Sequence, residues 1–191
     1  TTVPVGAQYG WPWVYWRNVI DLRVDHRMPD FLTEYARKPE YALGAHTAAL
    51  GLLFSTGGNR MGAAYANGAF IARHGSWNRK PLSGYDVVFV PFDANGNPLG
   101  KPQPVLTGFL KGKGNDAQGR PVWLVWDKGG GMLVSDDTAG IVWRVQAPGA
   151  ALSEAPKVLV SQRLPPQREL DGDIDRKFRA DFKSDTAEIS Q

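Results

Sequence analysis

Gly68-Ala69-Phe70-Ile71-Ala72-Arg73-His74-Gly75-Ser76-Trp77-Asn78-Arg79 begins as a strand and ends as a cluster of polar groups. Phe70 and Ile71 are apolar and strand-favouring, with small residues on either side. The second half brings two arginines, a histidine, an indole N–H, an amide and a hydroxyl together, and Gly75 permits a backbone direction that other residues avoid. A strand opening into such a cluster places polar groups at the mouth of a pocket. The plainer alternative is a solvated turn with one packed tryptophan. Gly84-Tyr85-Asp86-Val87-Val88-Phe89-Val90-Pro91-Phe92 follows as a second, longer strand and favours the first reading.

Working outward, strands are expected near 49–55, 69–73, 85–91 and 104–109, separated by the turn signals Thr56-Gly57-Gly58-Asn59, Pro81-Leu82-Ser83-Gly84 and Asp93-Ala94-Asn95-Gly96-Asn97-Pro98. The order then repeats near 122–126, 131–135, 140–145 and 157–161. Each unit runs apolar run, Gly turn, short strand, polar turn, longer strand, and a final Val-Leu strand. Two successive four-stranded antiparallel units are the signature of β-propeller blades. The fold class is therefore all-β, with residues 46–110 and 119–162 as two blades. A propeller needs about 4–8 blades, so residues 1–162 are expected to be the C-terminal portion of a larger one. An open two-sheet structure complete in itself is the alternative.

Composition is that of an ordinary globular chain: 191 residues, 42% hydrophobic, 21% charged, net charge +3. The cations are scattered rather than gathered into a basic run, which argues against nucleic acid. Without cysteine there is no disulfide framework and no thiolate metal site. No stretch approaches the roughly 20 apolar residues of a membrane span, and no signal peptide is recognisable. Thr1 is not an initiator Met, so the chain is expected to be processed, trimmed or a fragment. The 22 glycines and 14 prolines imply many turns.

Residues 1–45 form an aromatic, irregular region. Tyr9-Gly10-Trp11-Pro12-Trp13-Val14-Tyr15-Trp16 excludes a regular helix through Gly10 and Pro12. Such a loop either plugs the end of a β-structure or lines a ring-binding pocket. Pro29-Asp30-Phe31-Leu32 can start a short helix, which Pro39 stops. Residues 163–191 are a charged tail, disordered or briefly helical. Within it Asp171-Gly172-Asp173-Ile174-Asp175 starts like a calcium loop, but Arg176 and Phe182 stand where that loop needs its turn Gly and its bidentate Glu.

Tyr9-Gly10-Trp11-Pro12, Tyr41-Ala42-Leu43-Gly44-Ala45-His46, the 68–79 run, the 84–92 run, Gly119-Arg120-Pro121-Val122 and Leu133-Val134-Ser135-Asp136-Asp137 together resemble the glucose/sorbosone dehydrogenase family, and within it the sorbosone dehydrogenase-like branch. The resemblance spans about residues 8–146. Trp123 departs from it, standing where a Gly is common. The resemblance implies a six-bladed propeller, pyrroloquinoline quinone (PQQ) near its axis, calcium holding the quinone, and oxidation of a sugar or aldehyde by hydride transfer. It also implies export to the periplasm or medium. The remaining blades, or another copy, would pair through open sheet edges.

PQQ is a flat trianion with an ortho-quinone. It calls for cations, hydrogen-bond donors and an aromatic wall. Arg73 and Arg79 are the candidate cations, His46 and His74 the candidate donors, and Trp77, Trp11 and Tyr9 the candidate walls. Either histidine alone also reads as a satisfied structural residue. The resemblance puts the histidine base and the calcium segment upstream of Thr1, so no catalytic or metal residue is assigned here. Two other readings are a non-catalytic carbohydrate-binding propeller with Trp-lined loops, and an interaction module that pairs through open sheet edges.

Overall fold

The computed structural model describes residues 1–152 apart from 2, 56 and 113–115. The expected strand at 157–161 and the charged tail lie outside the described residues. In the aromatic N-terminal region the chain makes a small ribbon, β1 (Val14–Tyr15) antiparallel to β2 (Val19–Ile20). A single helical turn, α1 (Leu32–Tyr35), follows at the place the Pro-Asp-Phe-Leu signal marks. Val14, Leu32 and Ala36 form a small core of their own with Trp13 and Met28 against them.

The first main sheet is the expected meander: β3 (Ala49–Phe54), β4 (Gly68–Arg73), β5 (Asp86–Pro91) and β6 (Gln103–Leu106), each antiparallel to its neighbour in that order. The last strand is shorter than the sequence suggests and stops at Leu106, before Gly108 takes a left-handed φ of 94°. A hairpin that the sequence pattern did not reveal, β7 (Leu110–Lys111) with β8 (Asp116–Ala117), links it to the second sheet. There β9 (Pro121–Trp126), β10 (Met132–Asp136) and β11 (Ile141–Val145) pair antiparallel in the order β11-β10-β9. Among the described residues the second sheet has three strands.

Strand alternation explains how the sheets join. Phe70 and Ala72 on β4, and Val87 and Phe89 on β5, point to the same face and meet Leu124, Met132 and Val134 of the second sheet. Phe70 and Phe89 are fully buried, their ring centroids 4.8 Å apart, and the Trp126 ring meets Phe70 edge-on at 5.6 Å. Gly51 lets the innermost strands touch: a Cβ there would lie 2.5 Å from the Val122 carbonyl oxygen of β9. Trp123, next along, is carried to the opposite face of β9 and is exposed. The outward faces keep apolar side chains in solvent, Leu50, Leu52 and Phe54 on one sheet and Trp123, Val125 and Val142 on the other.

Candidate functional site

At one end of the two sheets, called the upper end below, β3 begins, β4 ends, β5 begins, β9 begins and β10 ends. The loop between β4 and β5, residues 74–85, crowns it. Its geometry follows from a few contacts. His74 N–H donates to the Ala48 carbonyl and Gly75 N–H to the Thr47 carbonyl, both at 2.9 Å, so the loop continues the β3 pairing beyond the strand. Ser76 N–H reaches the Ser83 carbonyl at 2.9 Å, and Ser83 N–H returns to the Ser76 hydroxyl at 3.0 Å. Residues 77–82 are thereby closed into a small loop. Gly75 adopts φ 98° with the Tyr85 ring against its Cα, a place where a Cβ would collide with the ring. The Tyr85 hydroxyl donates to the Ser76 carbonyl.

The two candidate arginines have different surroundings. Arg73 donates Nε to Asp86 Oδ1 at 2.7 Å and Nη2 to Asp86 Oδ2 at 2.6 Å, a bidentate pair across the β4–β5 register. Its Nη1 donates to the Leu43 carbonyl at 3.2 Å. Both partners are largely shielded, and the guanidinium is fully engaged by the protein. Arg79 is half-buried, and its one hydrogen bond among the described residues runs from Nη1 to the Ala45 carbonyl at 3.2 Å. The rest of its fork remains available to a ligand.

His74 Nε2 lies 3.0 Å from Asp137 Oδ2 and 3.1 Å from Oδ1, a contact that crosses from the first sheet to the second. His46 is exposed at φ 58°, on the approach to β3. Trp77 is 84% exposed at the tip of the loop. Trp11, 81% exposed, and half-buried Tyr9 belong to the N-terminal region. No hydrogen bond or ring contact among the described residues joins Trp11 to the 74–85 loop. The structure thus places His74, Trp77 and Arg79 on one loop and Arg73 at the end of β4 that leads into it, with the 43–48 backbone beside them.

Sequence reasoning gave no role to four residues that hold this loop. Asp86 binds Arg73. Tyr85 takes φ 64° and its ring lies under the Arg120 guanidinium, 5.3 Å from centroid to Cζ. Arg120 donates Nε to the His74 carbonyl at 3.0 Å and Nη2 to the Gly75 carbonyl at 2.7 Å. Asp136, 3% exposed, accepts Arg120 N–H at 2.8 Å, Ala139 N–H at 2.9 Å, and Thr138 N–H and the Trp143 indole N–H at 3.2 Å. Burial alone would raise its carboxyl, but those donors outweigh it and hold it below the usual carboxylate range. Both Arg120 and Asp136 stand in motifs of the family resemblance, which was the signal available.

A cavity of about 470 Å³ lies at the opposite, lower end, lined by Arg60, Arg144, Gln146, Ala147 and Ala150 among others; none of the expected site residues lines it. Among the described residues no group of three or more His, Asp or Glu side chains is placed to hold a metal ion, and no helix is long and apolar enough to cross a membrane.

A PQQ-dependent pyranose dehydrogenase of Coprinopsis cinerea is 35% identical over 127 residues, covering 58% of this chain and 16% of that protein. An uncharacterised protein of Borreliella burgdorferi is 33% identical over 137 residues, 72% of this chain and 35% of that one. The Trichoderma reesei carbohydrate-active enzyme of family AA12 superposes with a TM-score of 0.56 at 22% identity, over 72% of this chain and 38% of that structure, and shares the fold. The family model described as TrAA12-like matches residues 25–148, and the chain belongs to that family. These matches carry kinship with PQQ-dependent sugar oxidoreductases and not the narrower sorbosone dehydrogenase-like placement. The chain spans about a third or less of the length of the curated relatives it matches.

Proposed function

We propose that this chain forms part of a PQQ-dependent sugar dehydrogenase acting on a pyranose or a related sugar. Its role would be to hold the cofactor's carboxylates from the 74–85 loop. The observation that carries this reading is the division between the two arginines. Arg73 is engaged by Asp86 and Leu43 and builds the loop, while Arg79 keeps most of its fork for an anion. The donor set fits the group: Arg79 for a carboxylate, His46 at the rim, and the exposed Trp77 indole as a flat apolar wall. PQQ, when bound, supplies the hydride acceptor. The base that takes the substrate proton and the calcium ligands belong, by the resemblance, to segments outside these 191 residues.

In the same reading the two sheets are neighbouring blades of a propeller. The apolar outward faces of β3, β9 and β11 are where further blades would pack. Export accompanies the resemblance. The exposed Trp77 and Trp11 also suit the second reading, a carbohydrate-binding module without redox chemistry.

Titration of the apo-protein with PQQ separates the two readings. Arg79→Ala removes a charge-assisted pair worth about 1.5–3 kcal/mol, so PQQ affinity is expected to fall roughly 10- to 100-fold with thermal stability unchanged. Arg73→Ala instead leaves Asp86 shielded and unpaired and is expected to destabilise the fold by about 3 kcal/mol. Wild-type protein that binds sugar but not PQQ would establish the second reading.

A further inference from the structure

Gly119-Arg120-Pro121-Val122 and Ser135-Asp136-Asp137 meet at the upper end of the sheet pair. Gly119 leaves no room for a side chain: a Cβ there would run into the Asp136 carboxylate and lie 2.7 Å from the Phe109 ring. Asp136 thereby reaches the Arg120 N–H and fixes the backbone from which the Arg120 side chain departs. That side chain crosses to the first sheet, bridges two successive carbonyls and covers the Tyr85 ring. A planar fork is pre-organised to meet two carbonyls edge-on while its face lies on the ring; a lysine ammonium is a compact point charge without that geometry.

We propose that Arg120 is a positioning residue for the cofactor loop, a role that rests on the function proposed above. The sheets do not need it to adhere, because Phe70, Phe89, Leu124, Met132 and Val134 already join them. What it determines is the loop. Arg120 sets the carbonyls of His74 and Gly75. Gly75 lies against the Tyr85 ring, the Tyr85 hydroxyl takes the Ser76 carbonyl, and Ser76 and Ser83 close the turn that carries Arg79. Tyr85 sits at φ 64°, a left-handed conformation that costs a non-glycine residue roughly 1 kcal/mol or more and persists where the surroundings over-determine it. Nε and Nη2 are held by the two loop carbonyls, and it is through the loop so placed that Arg120 acts on the position of Arg79.

The test uses Arg120→Met and Arg120→Lys in the intact protein, with hydrogen exchange read by peptide and PQQ affinity read by titration of the apo form. In Arg120→Met, exchange across 74–85 is expected to accelerate by about tenfold or more, while the β10–β11 amides keep their protection. The PQQ dissociation constant is expected to rise by a similar factor. Arg120→Lys, which keeps the charge but not the planar fork, should fall between wild type and Met on both readouts, and it supplies the measurement if the Met variant does not fold. Unchanged exchange across 74–85 overturns the proposal. If PQQ binding weakens in that case, Arg120 touches the ligand directly. Faster exchange with wild-type PQQ affinity overturns the positioning role alone when Arg79→Ala still weakens binding. It overturns the cofactor reading as well when Arg79→Ala is silent.

Discussion

The two ends of the sheet pair are closed by the same kind of device pointing in opposite directions. At the upper end Arg120, just before the second sheet, reaches the His74 and Gly75 carbonyls of the first. At the lower end Arg60, in the β3–β4 connection, reaches back to the Gly129 carbonyl of the second sheet and to Ala150, both at 2.9 Å. Each arginine stands beside an aspartate that ties down its own turn. Asp136 does so above; Asp127 does so below, accepting Gly129 N–H at 2.7 Å and Gly131 N–H at 2.9 Å and pairing with Arg144. The ends differ in what they restrain. Among the described residues from 44 onward, the non-glycine residues with left-handed φ are His46, Ala48 and Tyr85, all at the upper end. The lower turn assigns that conformation to Gly130, at φ 84°, where it costs little. Strain held by over-determined contacts is characteristic of functional sites, so the upper clasp serves the loop and the lower one serves the fold.

The largest expected effect is at Asp136. Alanine there would leave four N–H donors without an acceptor that is itself 3% exposed. A loss of about 3 kcal/mol or more is expected in urea unfolding, since each buried donor left unpaired costs about 1–3 kcal/mol. Exchange across 74–85 should accelerate as well, because the Arg120 backbone is released. A loss well under 1 kcal/mol would mean that water replaces the carboxylate and that the upper end is no more buried than the lower.

Arg60→Ala comes next and tests the other half of the contrast. It removes two hydrogen bonds from a guanidinium, so a stability loss of about 1.5–3 kcal/mol is expected. PQQ affinity and exchange across 74–85 should stay at wild-type values, because distant sites with no shared partner act independently. If Arg60→Ala weakened PQQ binding as much as Arg120→Met, the two clasps would be one cooperative unit and the contrast would disappear.

How much of this was legible in the sequence follows the same division. Apolar runs bounded by turn signals located β3, β4, β5, β9, β10 and β11 to within a residue or two, because these runs supply the buried core, as Phe70, Val87, Phe89, Leu124 and Val134 do. The 74–85 loop was legible as a polar cluster. What each arginine does there was not, since Arg73 meets Asp86 only through the β4–β5 register, which spacing alone does not determine. The Arg120 and Asp136 clasps were hidden for a similar reason. Their partners lie 46 and 16 residues away, and they act largely on backbone atoms, which leave no mark on a sequence. The β7–β8 hairpin was missed because two-residue strands carry no periodicity.

The smallest effect expected is in the pH dependence, and it distinguishes the two aspartates. At Asp136 burial opposes the charge, but the N–H groups of Ala139, Arg120 and Thr138 and the Trp143 indole prevail, so its folded carboxyl titrates below the usual range. At Asp127 the Arg144 hydrogen bond is the main cause of the lowering, with the Gly131 N–H behind it. A carboxyl lowered on folding contributes stability that is fully present above its unfolded value, near pH 4. That contribution is lost as pH falls through the folded value. Unfolding free energy from urea titrations is therefore expected to decline with acidification below about pH 4. Asp136→Asn, which has no charge to lose there, should decline less steeply than wild type. Asp127 is more open to water and salt, so its share should shrink at high ionic strength while the Asp136 share persists. Equal acid slopes for wild type and Asp136→Asn, or a slope abolished by salt, would remove Asp136 as the acid-sensitive group and with it this contrast between the two clasps.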